Sequence, residues 1–579
     1  MSLPSNRRRQ PGGMEPQIVA LLVITGIVVV TAGLVYAAVK LGYQWAGLRD
    51  RTPNDPFQLL ADLASGKVAW PAQATWVALL TVAGLTALVV AVVVVWRRGR
   101  ARRSRVDHAA AFLGHGRDII DLTHKATHAR AHRLTADPAT TGPGIPIGVT
   151  VRGNQRLFGS WEDLHIDVWG PRQGKTTSRA IPALLAAPGA VIATSNKRDL
   201  TDATRDVRAT TGPVWVFDPQ GVAGEEPSWW WNPLDFVVDE LTAAELAGHF
   251  AAAGRPADAK TDAYFDPAAE DLLAGLLLAA ALDGRAITDV WSWLTRPLDE
   301  APVAVLTAHG VPLKADQVAA VAAAPEKQRE GVYGTARQMA SCLTYRSVAR
   351  WVTPRARHDP RPRFRPEAFV RGTGTLYSLS REGAGNAGAL VTALTVACVR
   401  AAEDLATASP GGRLPVPLVG VLDEAANVCR WRDLPQLYSH YGSRGIVLMT
   451  ILQSWSQGVR VWGEHGMNTL WSAATIKVYG GGVAEDKFLD QLSNLVGDYD
   501  KATRSSSHSR GHRTISHQLH RERIMTVADL AALPKGRAVV IAAGSRPTLV
   551  KTIPWMDGPY AQAVQASIDA HTPAAAAAP

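Results

Sequence analysis

Two stretches, residues 17–39 and 75–96, run for more than twenty residues each without a charge. A 23-residue helix is about 34 Å long, against roughly 30 Å of bilayer hydrocarbon. Core helices of soluble proteins keep a polar face, so two helices this apolar are read as membrane spans. A cleaved signal peptide, with Arg7, Arg8 and Arg9 as its basic region, is the rival for the first stretch. That stretch is too long for one, and the second span would hold the chain in the bilayer regardless. Arginines precede the first span and crowd the segment after the second, from Arg97 to Arg105. The positive-inside rule then makes 1–16 a cytosolic N-terminus, 17–39 and 75–96 transmembrane helices, and 40–74 an external loop. The protein is expected in the cell membrane, multi-pass, with both termini cytoplasmic and in contact with membrane lipid.

The net charge of +10 is local: residues 1–110 hold thirteen basic and five acidic side chains. Residues 501–523 hold six basic and one acidic. The rest of the chain is slightly acidic, which excludes a protein that coats nucleic acid with uniform positive charge. The cysteines, Cys342, Cys398 and Cys429, form no pair motif, so a disulfide framework and a Cys-based zinc site are excluded.

After residue 110 short apolar runs alternate with helical patterns. Strands are expected at Ala190–Ala193, Val214–Phe217, Thr375–Leu379, Pro417–Leu422, Ile446–Leu452, Thr475–Val478 and Ala538–Ala542. Continuous apolar runs of this length suit parallel strands covered on both faces. The fold class is α/β, with a parallel-dominated sheet, an all-α insertion and two N-terminal transmembrane helices. Residues 97–239 are assigned to a basic stem and the first part of a nucleotide-binding domain, 240–345 to an all-α domain, 346–560 to the second part of the nucleotide-binding domain, and 561–579 to an Ala/Pro-rich tail.

The strongest chemical signal is VWGPRQGKTTS, Val168 to Ser178, an apolar run followed by a phosphate-binding loop and a helical stretch. Gly170, Pro171, Arg172, Gln173, Gly174, Lys175, Thr176 and Thr177 would bind nucleotide through loop N–H groups, with Lys175 on the outer phosphates and Thr176 on Mg²⁺. Trp169 occupies the place where such a loop ordinarily begins with glycine, and Gly170 is expected to supply the flexible turn one position later. LPVPLVGVLDEAANV puts Asp423 and Glu424 straight after an apolar strand, where Asp423 would hold the Mg²⁺ and Glu424 polarise the attacking water. Gln453, ending the buried run GIVLMTIL, is read as a sensor of the terminal phosphate. Arg444, before that run, is read as an arginine finger toward an adjacent subunit.

With these segments in order, the chain resembles the type IV secretion system coupling proteins, the membrane-anchored ATPases of conjugative DNA transfer. SNKRDL at 195–200, VFDPQG at 216–221, WNPLDF at 231–236, LDEAANV at 422–428 and RIMTVADLAALPKGRAVVIAAGSRP near the C-terminus carry the likeness, together with the loop and the spans. Trp169, and Asn196 where the family often has Asp, mark a divergent branch. The resemblance implies a RecA-like P-loop NTPase domain that hydrolyses ATP with Mg²⁺ in a DNA-stimulated motor. It further implies a homo-hexamer around a channel. The implied partners are single-stranded DNA, a relaxase or relaxosome, and subunits of the secretion channel.

Two other readings carry different expectations. An FtsK/HerA-like double-stranded DNA translocase would share the fold but usually adds a winged-helix module, for which residues after 560 leave no room. A nucleotide-dependent scaffold would recruit secretion substrates with little turnover. His508, His512, His517 and His520 lie in 501–523 without zinc-ligand spacing; that segment is expected as a solvated loop, with contact to DNA phosphates as the alternative. Trp229, Trp230 and Trp231 are expected to pack between the sheet and the helical insertion rather than stack on bases. No nucleophile–His–acid set, HExxH or dinucleotide fingerprint is present.

Overall fold

The structure is a computed structural model that describes residues 16–49, 52–101, 104–134, 141–254, 262–381, 387–509 and 512–573. The side chains of 16–24, 27–28, 92–101 and 502–518 lie outside the described set. Two compact units emerge, one of Met1–Asp107 with Tyr499–Glu522 and one of His108–Asp498 with Arg523–Pro579.

Within the first unit, α1 (Pro16–Trp45) packs against α3 (Ala72–Ala101), with the short α2 (Pro56–Ala64) between them in sequence. The pair closes tightly at Gly42, where a Cβ would fall 2.7 Å from that of Ala74. Such small-residue contacts are what lets apolar helices approach. Asp55 caps α2 by accepting from the Phe57 amide at 2.8 Å, and Pro56 takes the first helical position. Trp45, Trp70 and Trp76 are exposed near the ends of α1 and α3 that adjoin α2, and Tyr43 donates to the Ala69 carbonyl at 2.8 Å. Among the described residues one helix segment, Ala72–Ala91, is long and apolar enough to cross a membrane. Residues 17–39 are helical throughout, with 17–24 and 27–28 outside the described side chains.

The described strands are β1 (Ile145–Thr150), β2 (Arg156–Gly159), β3 (His165–Val168), β4 (Val191–Ser195), β5 (Val214–Phe217), β6 (Thr375–Leu379), β7 (Leu418–Leu422), β8 (Ile446–Leu452), β9 (Ile476–Tyr479), β10 (Asp498–Ser509), β11 (His512–Arg523), β12 (Arg537–Ala542) and β13 (Thr548–Lys551). Eleven form one sheet in the order β2-β1-β13-β12-β9-β3-β8-β7-β4-β6-β5. From β9 to β5 all neighbours are parallel; β12, β13, β1 and β2 extend the sheet antiparallel beside β9. Strands β3, β4, β6, β7 and β8 are buried along their whole length, as parallel strands covered on both faces are.

All seven expected strands are present within a residue or two. The antiparallel strands β1, β2 and β13 have no counterpart among the expectations. Their runs are short, only half-buried in part, and in β1 punctuated by Pro146 and Gly148, where the register shifts. Residues 501–523 are a correction: the solvated loop is a hairpin, β10 paired with β11. Its strands are polar at nearly every position, so no apolar alternation announces them. Lys501 and Tyr499 both bond Glu522 across it, at 3.0 and 3.1 Å.

From Glu240 to Val352 the described residues are helices and turns without a strand. The Trp run lies at the edge of that region. Trp229 and Trp231 are buried, and Trp229 packs edge-on against Trp215 of β5 and against Trp351. Trp230 is half-buried, with the Arg363 guanidinium 5.1 Å above its ring. The packing role expected of the run therefore fits Trp229 and Trp231.

Candidate functional site

Residues 169–175 leave the carboxyl end of β3 and lead into a helix of two parts, a π turn over Thr176–Ala180 and an α segment over Ile181–Ala186. In open α/β sheets ligands gather at this edge. Arg172 and Gly174 adopt left-handed conformations, with φ of 61° and 89°. Alternating handedness turns successive N–H groups toward one point and makes an anion-binding nest. For Arg172 the conformation is strained, as befits a functional loop. The helix start is closed by Ser178 N–H and Thr177 Oγ1, which both donate to the Gly174 carbonyl, at 3.0 and 3.1 Å.

Trp169 is fully buried, and its amide donates to the Leu452 carbonyl at 2.9 Å. The indole has room because residue 480 is glycine: a Cβ there would run into it. Gly170, expected to supply a flexible turn, is not itself left-handed; that conformation falls to Arg172 and Gly174. At Gly170 the lack of a side chain serves a close approach instead, since a Cβ there would collide with the Gly482 carbonyl, while the Gly170 amide donates to the Gly481 carbonyl at 2.8 Å.

Strands β7 and β8 bring the other groups to the same edge. Lys175 pairs with Glu424 and lies 3.0 Å from Asp423 Oδ1. Gln453 Nε2 donates to Glu424 Oε1 at 2.5 Å, and Asn427 Nδ2 to Glu424 Oε2 at 3.3 Å. Glu424 itself sits in the left-handed region, φ 57°. A non-glycine residue there costs about 1–3 kcal/mol and persists only where its surroundings hold it. Thr194 Oγ1 anchors the Asp423 carbonyl at 3.1 Å.

Burial pushes the Asp423 carboxyl up to about 6, against the opposing pull of Lys175, and Glu424 raises it further. Burial disfavours the charge on Lys175, but the two carboxylates overcome it and raise its pKa. Asp423 Oδ1 is buried and, although near Lys175, lacks a well-aligned hydrogen bond. A buried carboxylate oxygen with spare coordination and a raised pKa fits a divalent cation, and a nest beside a lysine fits phosphate.

The structure thus gathers Lys175, Asp423, Glu424 and Gln453, with Thr176 opening the adjacent helix. It does not bring Arg444 to them. Arg444 precedes β8 at the end opposite Gln453, separated from it by the whole strand of about 20 Å, and pairs with Glu403 at 2.6 Å. Two contributors carried no signal in the sequence. Lys535, on the turn before β12, brings its Cε within 3.7 Å of where a Gly174 Cβ would stand. Glu485 caps the helix after β8 by accepting from the Trp455 and Ser456 amides at 2.8 and 3.0 Å.

A loop of this shape at the end of one parallel strand, with a carboxylate pair and an amide on its neighbours, has the layout of the P-loop class of α/β folds. Residues 417–535, which include the carboxylates and Gln453, match the family model described as the TraM recognition site of TraD and TraG. The fold is similar to that of the conjugative coupling protein TrwBdeltaN70 in its unbound monoclinic form, at 17% identity and a TM-score of 0.51 over 73% of this chain and 91% of that one. The trigonal form in complex with sulphate gives 16% and 0.52 over 75% and 92%. TrwB in complex with ADP and Mg²⁺ gives 17% and 0.50 over 73% and 92%. No curated protein sequence matches the chain. The expected resemblance to the type IV coupling proteins is borne out by the matched segment and the shared fold.

Proposed function

We propose that this protein is a membrane-anchored ATPase that delivers a relaxase–DNA complex to a type IV secretion channel. The observation that carries the reading is the convergence of Lys175, Asp423, Glu424 and Gln453 at the carboxyl ends of β3, β7 and β8. In this reading the loop N–H groups and Lys175 hold the phosphates of ATP, while Thr176 and Asp423 hold Mg²⁺, which supplies charge neutralisation at the transferred phosphoryl group. Glu424, fixed by Gln453 and Asn427, orients the attacking water and takes its proton. When a nucleotide draws Lys175 onto phosphate, Glu424 is released from that pairing, and Gln453 changes partner with it.

The segment matched to a model named for TraM recognition supports a relaxosome protein as partner. A ring of six copies with single-stranded DNA in its channel, and two spans with both termini in the cytoplasm, belong to the same proposal. So does Arg444 as the finger toward a neighbouring copy; in that role it must leave Glu403.

The test is ATP turnover by the purified chain with and without single-stranded DNA, beside Lys175→Ala. Turnover should rise with DNA and fall by about a hundredfold or more in the variant, because charge stabilisation of the transferred group is lost. Undiminished turnover in Lys175→Ala would sink the assignment.

A further inference from the structure

The phosphate end of the site is fixed on one flank of β3. Asp423 and Glu424 follow β7, and Gln453 follows β8, the parallel neighbour of β3 on that side. A nucleotide with its terminal phosphate there must run its sugar and base away from those carboxylates. The flank left to it holds β9, then the antiparallel strands β12, β13, β1 and β2.

On that flank lies a cavity of about 210 Å³. Its walls are the outer face of the helix that follows the phosphate loop, the β1–β2 hairpin, and the segment 553–560 near the C-terminus. Ser178 and Ala186 line it from the helix, Arg156 and Phe158 from β2, and Trp555 and Tyr560 from the C-terminal segment. Ser178 ties the cavity to the loop: its Oγ lies 3.7 Å from where a Gly174 Cβ would stand. The lining is mostly apolar with a few polar groups, the usual make-up of a small-molecule pocket. Its volume is below that of pockets for drug-sized ligands and suits a single ring system.

We infer that this cavity receives the base of the bound nucleoside triphosphate. Trp555, Tyr560 and Phe158 offer ring faces and edges for packing on a flat heterocycle. Arg156, Asp557 and the Tyr560 hydroxyl offer donors and acceptors for its polar edge. The segment 553–560 would thereby become part of the nucleotide site, although it lies far from every phosphate-binding motif in the sequence. The inference rests on the nucleotide reading proposed above.

Binding of two probes to the full-length chain, ATP with Mg²⁺ and inorganic tripolyphosphate with Mg²⁺, separates the pocket from the loop. Wild type should bind ATP at least about tenfold more tightly than tripolyphosphate. Ala186→Trp, which fills the cavity, and Tyr560→Ala, which removes a wall without adding bulk, should each weaken ATP binding by about tenfold. Both should leave tripolyphosphate binding unchanged, which also reports that the loop is folded. ATP affinity equal to wild type in both variants overturns the inference alone and leaves the phosphate site standing. Equal loss of both probes in the two variants also overturns it, since the effect then lies in the loop. Failure of the wild-type chain to bind either probe overturns the nucleotide reading and this inference with it.

Discussion

At the scale of single residues, the carboxylate pair divides its work by environment. Asp423 is buried and its pKa is raised to about 6, above its value in an unfolded chain. The folded protein therefore holds that proton more tightly, and ionisation costs stability as pH rises from about 4 through 6. Only the ionised form binds a cation. Mg²⁺ affinity measured by titration should thus fall tenfold per pH unit below about 6 and level off above it; a flat profile between pH 5 and 8 would count against Asp423 as ligand. Glu424→Gln keeps the side chain's size and one of the two oxygens that accept from Gln453 and Asn427, but lacks the base. ATP should still bind while hydrolysis slows by about 10²–10⁴, checked by binding and single-turnover assays on the same preparation. Asp423, Glu424 and Gln453 were legible in the sequence because they follow buried apolar runs, and Lys175 because it lies in a Gly-Lys-Thr loop. Lys535 was not, since a lone lysine 360 positions from Lys175 has no pattern to betray it.

At the scale of elements, most of the parallel strands could be read from the sequence because burial on both faces favours runs that are largely apolar. Of the antiparallel flank β12 was legible, while β1, β2 and β13 escaped because they are short and partly exposed, with Pro146 and Gly148 breaking up β1. The flank's attachment depends on groups that sequence spacing does not reveal. Arg179, fully buried on the helix after the phosphate loop, donates to Asp167 of β3 at 2.6 Å and to the Pro146 carbonyl of β1 at 2.6 Å. It also meets His165 Nδ1 at 3.1 Å, so that ring nitrogen must accept and the ring stays neutral, as burial and the guanidinium both favour. Arg179→Ala strands a buried carboxylate and should cost about 3–5 kcal/mol in chemical denaturation. Gly480→Ala acts on the other side of β3 by pressing a methyl group into Trp169. A loss of about 1–3 kcal/mol is expected, with partial recovery in the Gly480→Ala, Trp169→Leu double variant. An additive double variant would show that the two residues do not share one space.

At the scale of the whole molecule, the expected topology can be read directly because Cys342, Cys398 and Cys429 are buried. Single cysteines placed at Ser65 and Ser104 therefore report with little background. An impermeant maleimide on intact cells should label the first and spare the second; the reverse pattern would overturn the orientation. In a mating assay with the host copy deleted, the full chain should restore transfer and a chain lacking α1–α3 should not. The long-range pairing of Trp169 with Gly480 has a further consequence, for finding such proteins among unassigned sequences. A scan that demands a leading glycine in the phosphate loop will pass over any chain built this way. What identifies the variant loop is a bulky aromatic in that place together with a glycine roughly three hundred residues downstream, at the end of the strand that flanks the loop. Neither half of that signature means much by itself, and neither can be exchanged without the other, so the two should be inherited together.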